Sequence, residues 1–425
     1  MLRSMFSGVS GLRSHQTMMD VIGNNIANVN TNGFKTSQVV FQDMLSQLLR
    51  GAGAPANGNG GTNPAQVGLG VRVGGITTNF SQGAVQLTGR STDLSISGDG
   101  FFIVRQGGEN LYTRAGSLSF DSSGQLVTQD GSIIQGWMAN NGVVNTNAAV
   151  QDFVMPISQV LPPKPTANVG LGGNLPADNT VAPFSGPNQT VITSSITVYD
   201  TQGNAVPMTF QFTKTAADTW SIQPLAKDGP DADLLPDPIG APQTLVFDPT
   251  TGAITTPAAP NTFSISAATL AAAGVANTGP LTVDLSAITQ YGSQKTLSAE
   301  SQDGFAMGSL QSFNIAQDGT VAGVFSNGLT RALGRIALAS FTNPGGLEKA
   351  GGSNYRTTAN SGLANVGDPG SGGRGFLAGG TLEMSNVDLA QEFTNLIVAQ
   401  RGFQANSRVI SASDELLQDL VNLKR

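Results

Sequence analysis

The sequence predicts a mainly β fold with paired terminal α-helices and nested, discontinuous domains, and three observations carry that expectation. Apolar residues recur at helical spacing at both ends of the chain. Between the ends, short alternating runs are cut by Gly, Asn, Asp and Pro. The composition, with 54 Gly in 425 residues, 6% aromatic and only 12% charged, favours turn-rich β structure over helical bundles.

At the N-terminus Leu2, Met5, Val9, Leu12, Gln16, Met19, Gly23 and Ile26 alternate steps of three and four, which leaves Met5, Leu12, Met19 and Ile26 as one narrow apolar seam. At the C-terminus Leu389, Leu396, Phe403, Ile410 and Leu417 recur every seven residues, with Phe393, Gln400, Ser407, Asp414 and Val421 at the alternate seam position. Ser385 or Asn386 suits the N-cap, Asp388 the first turn, and Lys424 and Arg425 the last. A helix over residues 386–423 would be about 55 Å long. A seam interrupted by Gln400, Ser407 and Asp414 is too thin to bury such a helix in a globular core, so it needs a partner helix. The N-terminal segment offers a similar seam. The termini therefore meet, either as an assembly element or as a helical hairpin that closes the domain.

Gly- and Asn-rich stretches at residues 51–70 and 351–380 read as connections between these helices and the interior. The expected domains are residues 1–70 with 360–425 as a terminal helical assembly domain, 71–161 with 291–359 as a middle β domain, and 162–290 as an outer β domain. Asp99-Gly100, Asp130-Gly131 and Asp318-Gly319 read as hairpin turns, and the Pro-rich residues 161–165 as a boundary. Residues 192–200 and 206–213 read as strands of the outer domain.

The sequence offers little to chemistry. A net charge of -7 and a pI of about 4.7 give no footprint for nucleic acid. Without Cys there is no disulfide, thiolate metal site or Cys nucleophile. His15, the single histidine, reads as a solvated helix residue, and no Ser-His-Asp order of the nucleophile-elbow type can follow it. The Asp-Gly pairs at Asp99, Asp130, Asp228, Asp303 and Asp318 lack the spaced carboxylates of a calcium loop, and Asp231 with Asp233 reads as a solvated loop. Neither cofactor nor metal is expected. A paired-carboxylate glycosidase leaves little trace in sequence, but 2 Trp and 4 Tyr are few for sugar platforms. No apolar run approaches the length of a membrane span, and the N-terminus lacks the apolar core of a cleavable signal.

Three stretches resemble the family of bacterial flagellar rod and hook proteins. IGNNIANVNTNGFK, residues 22–35, is similar to its N-terminal signature through Asn24, Asn25, Ile26, Ala27, Asn28, Thr31, Gly33, Phe34 and Lys35. GDGFFIV at 98–104 and the run at 112–137 resemble its shared β domain, and residues 385–410 its C-terminal helix. The resemblance frames the chain and leaves residues 162–290 without a distinctive match. A rod subunit of this family is normally shorter, so the extra β domain points to a hook subunit over a distal rod subunit; a secreted carbohydrate-active β protein is the rival from another class.

The resemblance implies a non-enzymatic subunit whose terminal helices pair and line the channel of a helical homopolymer. It implies partners in further copies of the chain, the distal rod protein, the hook-filament junction protein, the hook cap and the flagellar type III export apparatus. It also implies an extracellular location in the flagellum and a short export motif, which Met5, Phe6 and Val9 match imperfectly. Within the signature, Lys35 is expected to stabilise the turn after the first helix.

Overall fold

The computed structural model describes residues 2–54, 60–156, 160–177, 191–226 and 237–422. Asp228, Asp231, Asp233, Lys424 and Arg425 lie outside the described residues, as do the side chains of Leu2 and Val421. The chain forms two compact units: Met1–Ile157 with Phe313–Gly323 and Arg331–Arg425, and Ser158–Ser312 with Val324–Thr330.

In the first unit, helix α1 (Leu2–Ala27) leads into a two-stranded ribbon. Ser37–Asp43 pairs with Val71–Thr78, and Ser46–Arg50 with Ala65–Gly68. The Gly-rich stretch expected as a plain connection is thus partly the end of a ribbon, because its flanks alternate well enough to pair. A larger antiparallel sheet runs in the order Thr330–Ile336, Ile133–Asn140, Phe101–Gln106, Glu109–Thr113, Asn354–Arg356 and Glu348–Gly351. Its core is aromatic: Phe101, Tyr112, Trp137 and Tyr355 are buried, with edge-on ring contacts such as Phe80 to Tyr355 at 5.3 Å and Tyr112 to Phe341 at 4.8 Å.

Two expectations change here. Residues 351–380 are not a free connection, since Asn354–Arg356, Asn365–Gly367 and Phe376–Gly379 all pair into this unit. The Asp99-Gly100 turn does not close a hairpin: Leu94–Ser97 pairs with Phe376–Gly379, while Phe101–Gln106 pairs with Glu109–Thr113 across Gly107 and Gly108, both at positive φ. A dipeptide that favours a turn marks a change of direction without naming the strand beyond it.

The second unit packs an antiparallel sheet built on Val191–Tyr199, Ala205–Ala216, Thr219–Ala226 and Gln243–Phe247 against a smaller sheet in which Asn168–Pro176 runs parallel to Leu281–Tyr291. Both expected strands of this region are present. Alternation decides the core: Met208, Phe210 and Phe212 point inward against Trp220, Ile222, Leu245 and Phe247, and the short helix α2 (Ala267–Ala272) adds Leu270.

Asp303 ties down the entry of the smaller sheet. Its carboxylate accepts from the backbone N–H groups of Ala167 at 2.8 Å and Asn168 at 2.9 Å, and from Lys164 Nζ at 3.1 Å. Partial burial raises its pKa, but these donors outweigh burial and hold the carboxyl down at about 2. A carboxyl depressed in the folded state contributes stability above its unfolded value and loses it as pH falls through the folded one. Asp303→Asn should therefore cost this unit about 1–2 kcal/mol at pH 6, after solvent screening, and much less near pH 2. Urea midpoints at the two pH values test this; an equal deficit at both would reject the ionic origin.

Candidate assembly interface

The terminal helices run antiparallel. Helix α3 (Leu389–Asn422) lies along α1, with Ser4 Oγ 3.3 Å from Ser413 Oγ at one end and Asn25 Nδ2 donating to Glu392 Oε1 at 3.3 Å at the other. Glycines on one helix meet larger side chains on the other. Gly8, Gly11, Ser14, Ile22 and Asn25 are the buried positions of α1, and Ala399 and Ser413 those of α3. A Cβ on Gly8 would stand 3.1 Å from Ile410, and one on Gly11 2.7 Å from the Asn406 amide, so the two backbones approach closely there.

The expected seam residues sit beside this stripe. Met5, Leu12, Met19, Ile26, Leu396, Ile410 and Leu417 are half-buried, while Leu389, Phe393 and Phe403 are exposed. Of the expected export motif, Phe6 is 71% and Val9 39% exposed, and Met5 is half-buried. His15 is not a solvated side chain. Its ring covers Gly402 and meets Phe41 edge-on at 5.6 Å, and its Nδ1 is buried without a hydrogen-bond partner. Packing captures it because Gly402 leaves room for a ring.

The signature residues build the root of α1. Asn28 donates to the Asn24 carbonyl at 2.9 Å and accepts from Thr31 Oγ1 at 3.0 Å, which closes the helix end beside the exposed Ala27. Asn25 grips Ser37 through both its N–H, at 3.1 Å, and its carbonyl, at 2.8 Å. Gly33 has φ 68°, its N–H donates to the Glu383 carbonyl at 2.8 Å, and a Cβ there would lie 2.6 Å from the Ala115 nitrogen; a side chain is excluded twice over. Phe34 is buried beneath Lys349, whose Nζ stands 5.1 Å from the ring centroid.

Asp388 is the N-cap of α3, accepting from Ala390 N at 2.9 Å and Gln391 N at 3.2 Å, in place of the expected Ser385 or Asn386. Asn386 is used elsewhere, accepting from Thr36 N at 2.8 Å and donating to the Asn79 carbonyl at 2.9 Å. Burial raises the pKa of Glu392 in the first turn, with Asp388 adding to the rise and Asn25 opposing it.

Lys35 does more than stabilise a turn. Its side chain is fully buried and bonds Glu383 Oε1 at 2.6 Å and the Ser81 carbonyl at 2.7 Å. Glu383 Oε1 also accepts from Gly83 N at 2.9 Å, and its Oε2 lies 3.4 Å from Arg114, which is itself buried over the Phe101 ring at 5.3 Å. One carboxylate thus serves two buried cations. Burial drives the Lys35 ammonium below its ordinary range; bonding and attraction to Glu383 oppose this without cancelling it. Arg114 is lowered by burial in the same way, and the buried Tyr355 phenol is pushed up to about 12. Periodicity cannot find this cluster, since Lys35 and Glu383 are 348 residues apart. The available signal is one lysine in a signature otherwise made of amides and small residues.

No group of three or more His, Asp or Glu able to hold a metal occurs among the described residues. A cavity of about 720 Å³ at the end of α1 is lined by Asn28, Phe34, Thr128, Asp130, Lys349 and Tyr355. Its carboxylate is engaged, because Asp130 accepts from Thr128, Ser132 and Asn354; these bonds keep its pKa below the ordinary value against the opposing effect of burial.

Family models match along the chain: flagella basal body rod protein over residues 5–35, flagellar hook protein FlgE/F/G D1 domain over 95–166, flagellar basal body protein FlaE D2 domain over 168–305, and flagellar basal body rod FlgEFG protein C-terminal over 378–423. The flagellar hook protein FlgE of Borreliella burgdorferi is 42% identical over the full length of both chains. The chain belongs to the flagellar hook protein FlgE family. Its kinship extends to the rod, since the flagellar basal-body rod protein FlgG of Bacillus subtilis is 33% identical over all of both chains, so length alone does not separate hook from rod. The solved flagellar hook protein FlgE2 of Helicobacter pylori shares the fold, with a TM-score of 0.54, 15% identity, and coverage of 70% of this chain and all of that one. As a FlgE-family member the protein is a structural subunit of the flagellar hook that polymerises into the flagellar axial structure. No described helix is long and apolar enough to cross a membrane.

Proposed function

We propose that α1 and α3 form the polymerisation element and that neighbouring copies cover what this pair leaves exposed. The supporting observation is what the pair leaves outside: its backbones meet at Gly8, Gly11 and Gly402, while Phe6 at 71%, Phe393 at 50%, Ile397 at 57%, Val398 at 56% and Leu416 at 57% exposure face outward. An exposed apolar surface of that kind marks an interaction site. The seam residues Met5, Leu12, Met19, Ile26, Leu389, Phe393, Leu396, Phe403, Ile410 and Leu417 belong to the surface that copies bury. Residues 1–70 with 360–425, 71–161 with 291–359, and 162–290 act as successive layers of the tube.

In this reading the assembled tube is the flexible joint that carries torque from rod to filament, and the chain catalyses no reaction. Its specific partners are the distal rod protein, the hook-filament junction protein, the hook cap during assembly, and the type III export apparatus, which reads Met5, Phe6 and Val9. The test is electron cryotomography of cells lacking the gene. A complete rod without hook or filament is expected; a truncated rod would move the protein to the distal rod, and normal flagella would reject the reading.

A further inference from the structure

The helices leave the β sheet at one point. Residues 33–37 follow α1, residues 381–386 precede α3, and Glu383 joins the two with the sheet. Its carbonyl accepts from Gly33 N at 2.8 Å, and its carboxylate from Lys35 at 2.6 Å, Gly83 N at 2.9 Å and Arg114 at 3.4 Å. Beside it, Asn386 accepts from Thr36 N and donates toward Asn79 and Ser81. Thr381–Glu383 is itself a strand paired with Val85–Leu87.

Neither segment can leave alone without stranding buried polar groups. If residues 381–386 open while 33–37 stay, Lys35 is left with no carboxylate and Arg114 with only the longer-range attraction of the exposed Asp99, and Gly33 N and Thr36 N lose their acceptors. If residues 33–37 open first, Glu383 keeps one cation, but the Ser81 carbonyl, the Glu383 carbonyl and the Asn386 amide oxygen lose donors. Each uncompensated group in a dry site is costly, and an unpaired charge most of all.

We propose that Glu383 is a latch that makes residues 33–37 and 381–386 open from the β sheet, and close on it, as one cooperative unit. The roots of both helices are then held or released together, and neither helix is offered without its partner. This coupling follows from the free chain; its use in polymerisation, where a subunit with one loose helix would dock out of register, rests on the hook-subunit reading.

Hydrogen-exchange mass spectrometry on the full-length wild-type chain, at alkaline pH where each opening leads to exchange, tests the coupling directly. Peptides over 33–37 and 381–386 are expected to convert at one common rate. In Glu383→Gln both should speed by at least about 100-fold, with Phe101–Gln106 nearly unchanged. Asn386→Ala, a milder change, should speed both by a common smaller factor, and serves if Glu383→Gln does not fold. Unrelated rates in the wild type, or a variant that loosens one segment only, would overturn the latch. Because the readout needs no polymer, correlated exchange would stand even if tomography rejected the hook assignment, and the reverse holds too.

Discussion

Glu383→Gln lowers the free energy holding the two terminal segments to the sheet by about 3–5 kcal/mol, whereas Lys35→Met costs about 1–2 kcal/mol, chiefly for the donor the Ser81 carbonyl loses. The asymmetry follows from the count of charges. Two buried cations share one buried carboxylate, so removing it leaves Lys35 unpaired and Arg114 with only the longer-range attraction of Asp99, while removing Lys35 leaves a neutral Arg114–Glu383 pair. Glutamine keeps the shape and one acceptor, which makes charge the variable. Adding Lys35→Met to Glu383→Gln should recover part of the loss, and the recovered part measures their coupling. Protection of the 33–37 amides at neutral pH reads all three variants; similar costs for the two single changes would reject the excess-charge account.

The same cluster has a pH signature. The Lys35 pKa is lowered in the folded chain, so the unfolded chain binds more protons between that lowered value and 10.5. Stability therefore rises with pH across that window, opposite to the behaviour of a lysine strengthened by its partner. In Lys35→Met this rise should shrink, leaving the share of Lys349, whose pKa burial also lowers; in the double variant Lys35→Met with Lys349→Met it should vanish. A slope as steep in Lys35→Met as in the wild type would assign it to another group.

How far the sequence reaches is clear from particular residues. Leu389, Leu396, Phe403 and Ile410 announce a long helix because a seven-residue recurrence survives any tertiary context, and the family signature at residues 22–35 is legible as a string. Hydrophobic periodicity does not reveal close approach. The residues on which the helices touch, Gly8, Gly11 and Gly402, carry no side chain for an apolar pattern to register, and their role follows from what they lack. His15 reads as a solvated residue for the same reason: its pocket is made by a glycine on the other helix. Glu383 and Arg114 join Lys35 only through the fold, and a lone Arg or Glu beside apolar residues is ordinarily a solvated side chain. Long-range polar partners are the part of a site that local pattern withholds, and here they form its centre.

Gly11→Val should abolish hook assembly while leaving both β units folded. A Cβ at this position would meet the Asn406 side-chain oxygen, nitrogen and carbon at 2.7–2.8 Å, and the two methyl groups of valine reach further. The Asn406 amide is tied back by its own bond to the Gly402 carbonyl at 2.9 Å, so relief either breaks that bond or moves the helices apart. Overpacking of this kind costs about 1–3 kcal/mol in a single subunit. In a polymer the displacement recurs in every copy, and the outward faces of α1 and α3 no longer share one spacing along the tube. Gly23→Ala is the control. Gly23 is exposed and nothing lies within 4 Å of its added Cβ, so this change removes a helix-weakening glycine for a gain of up to about 1 kcal/mol and should leave hooks normal. Counting hooks per cell by electron microscopy, beside the thermal unfolding of each purified chain, separates the two effects. Normal hooks in Gly11→Val would mean that the close helix contact is not needed in the assembled tube, and the polymerisation element would have to lie on the outer faces alone.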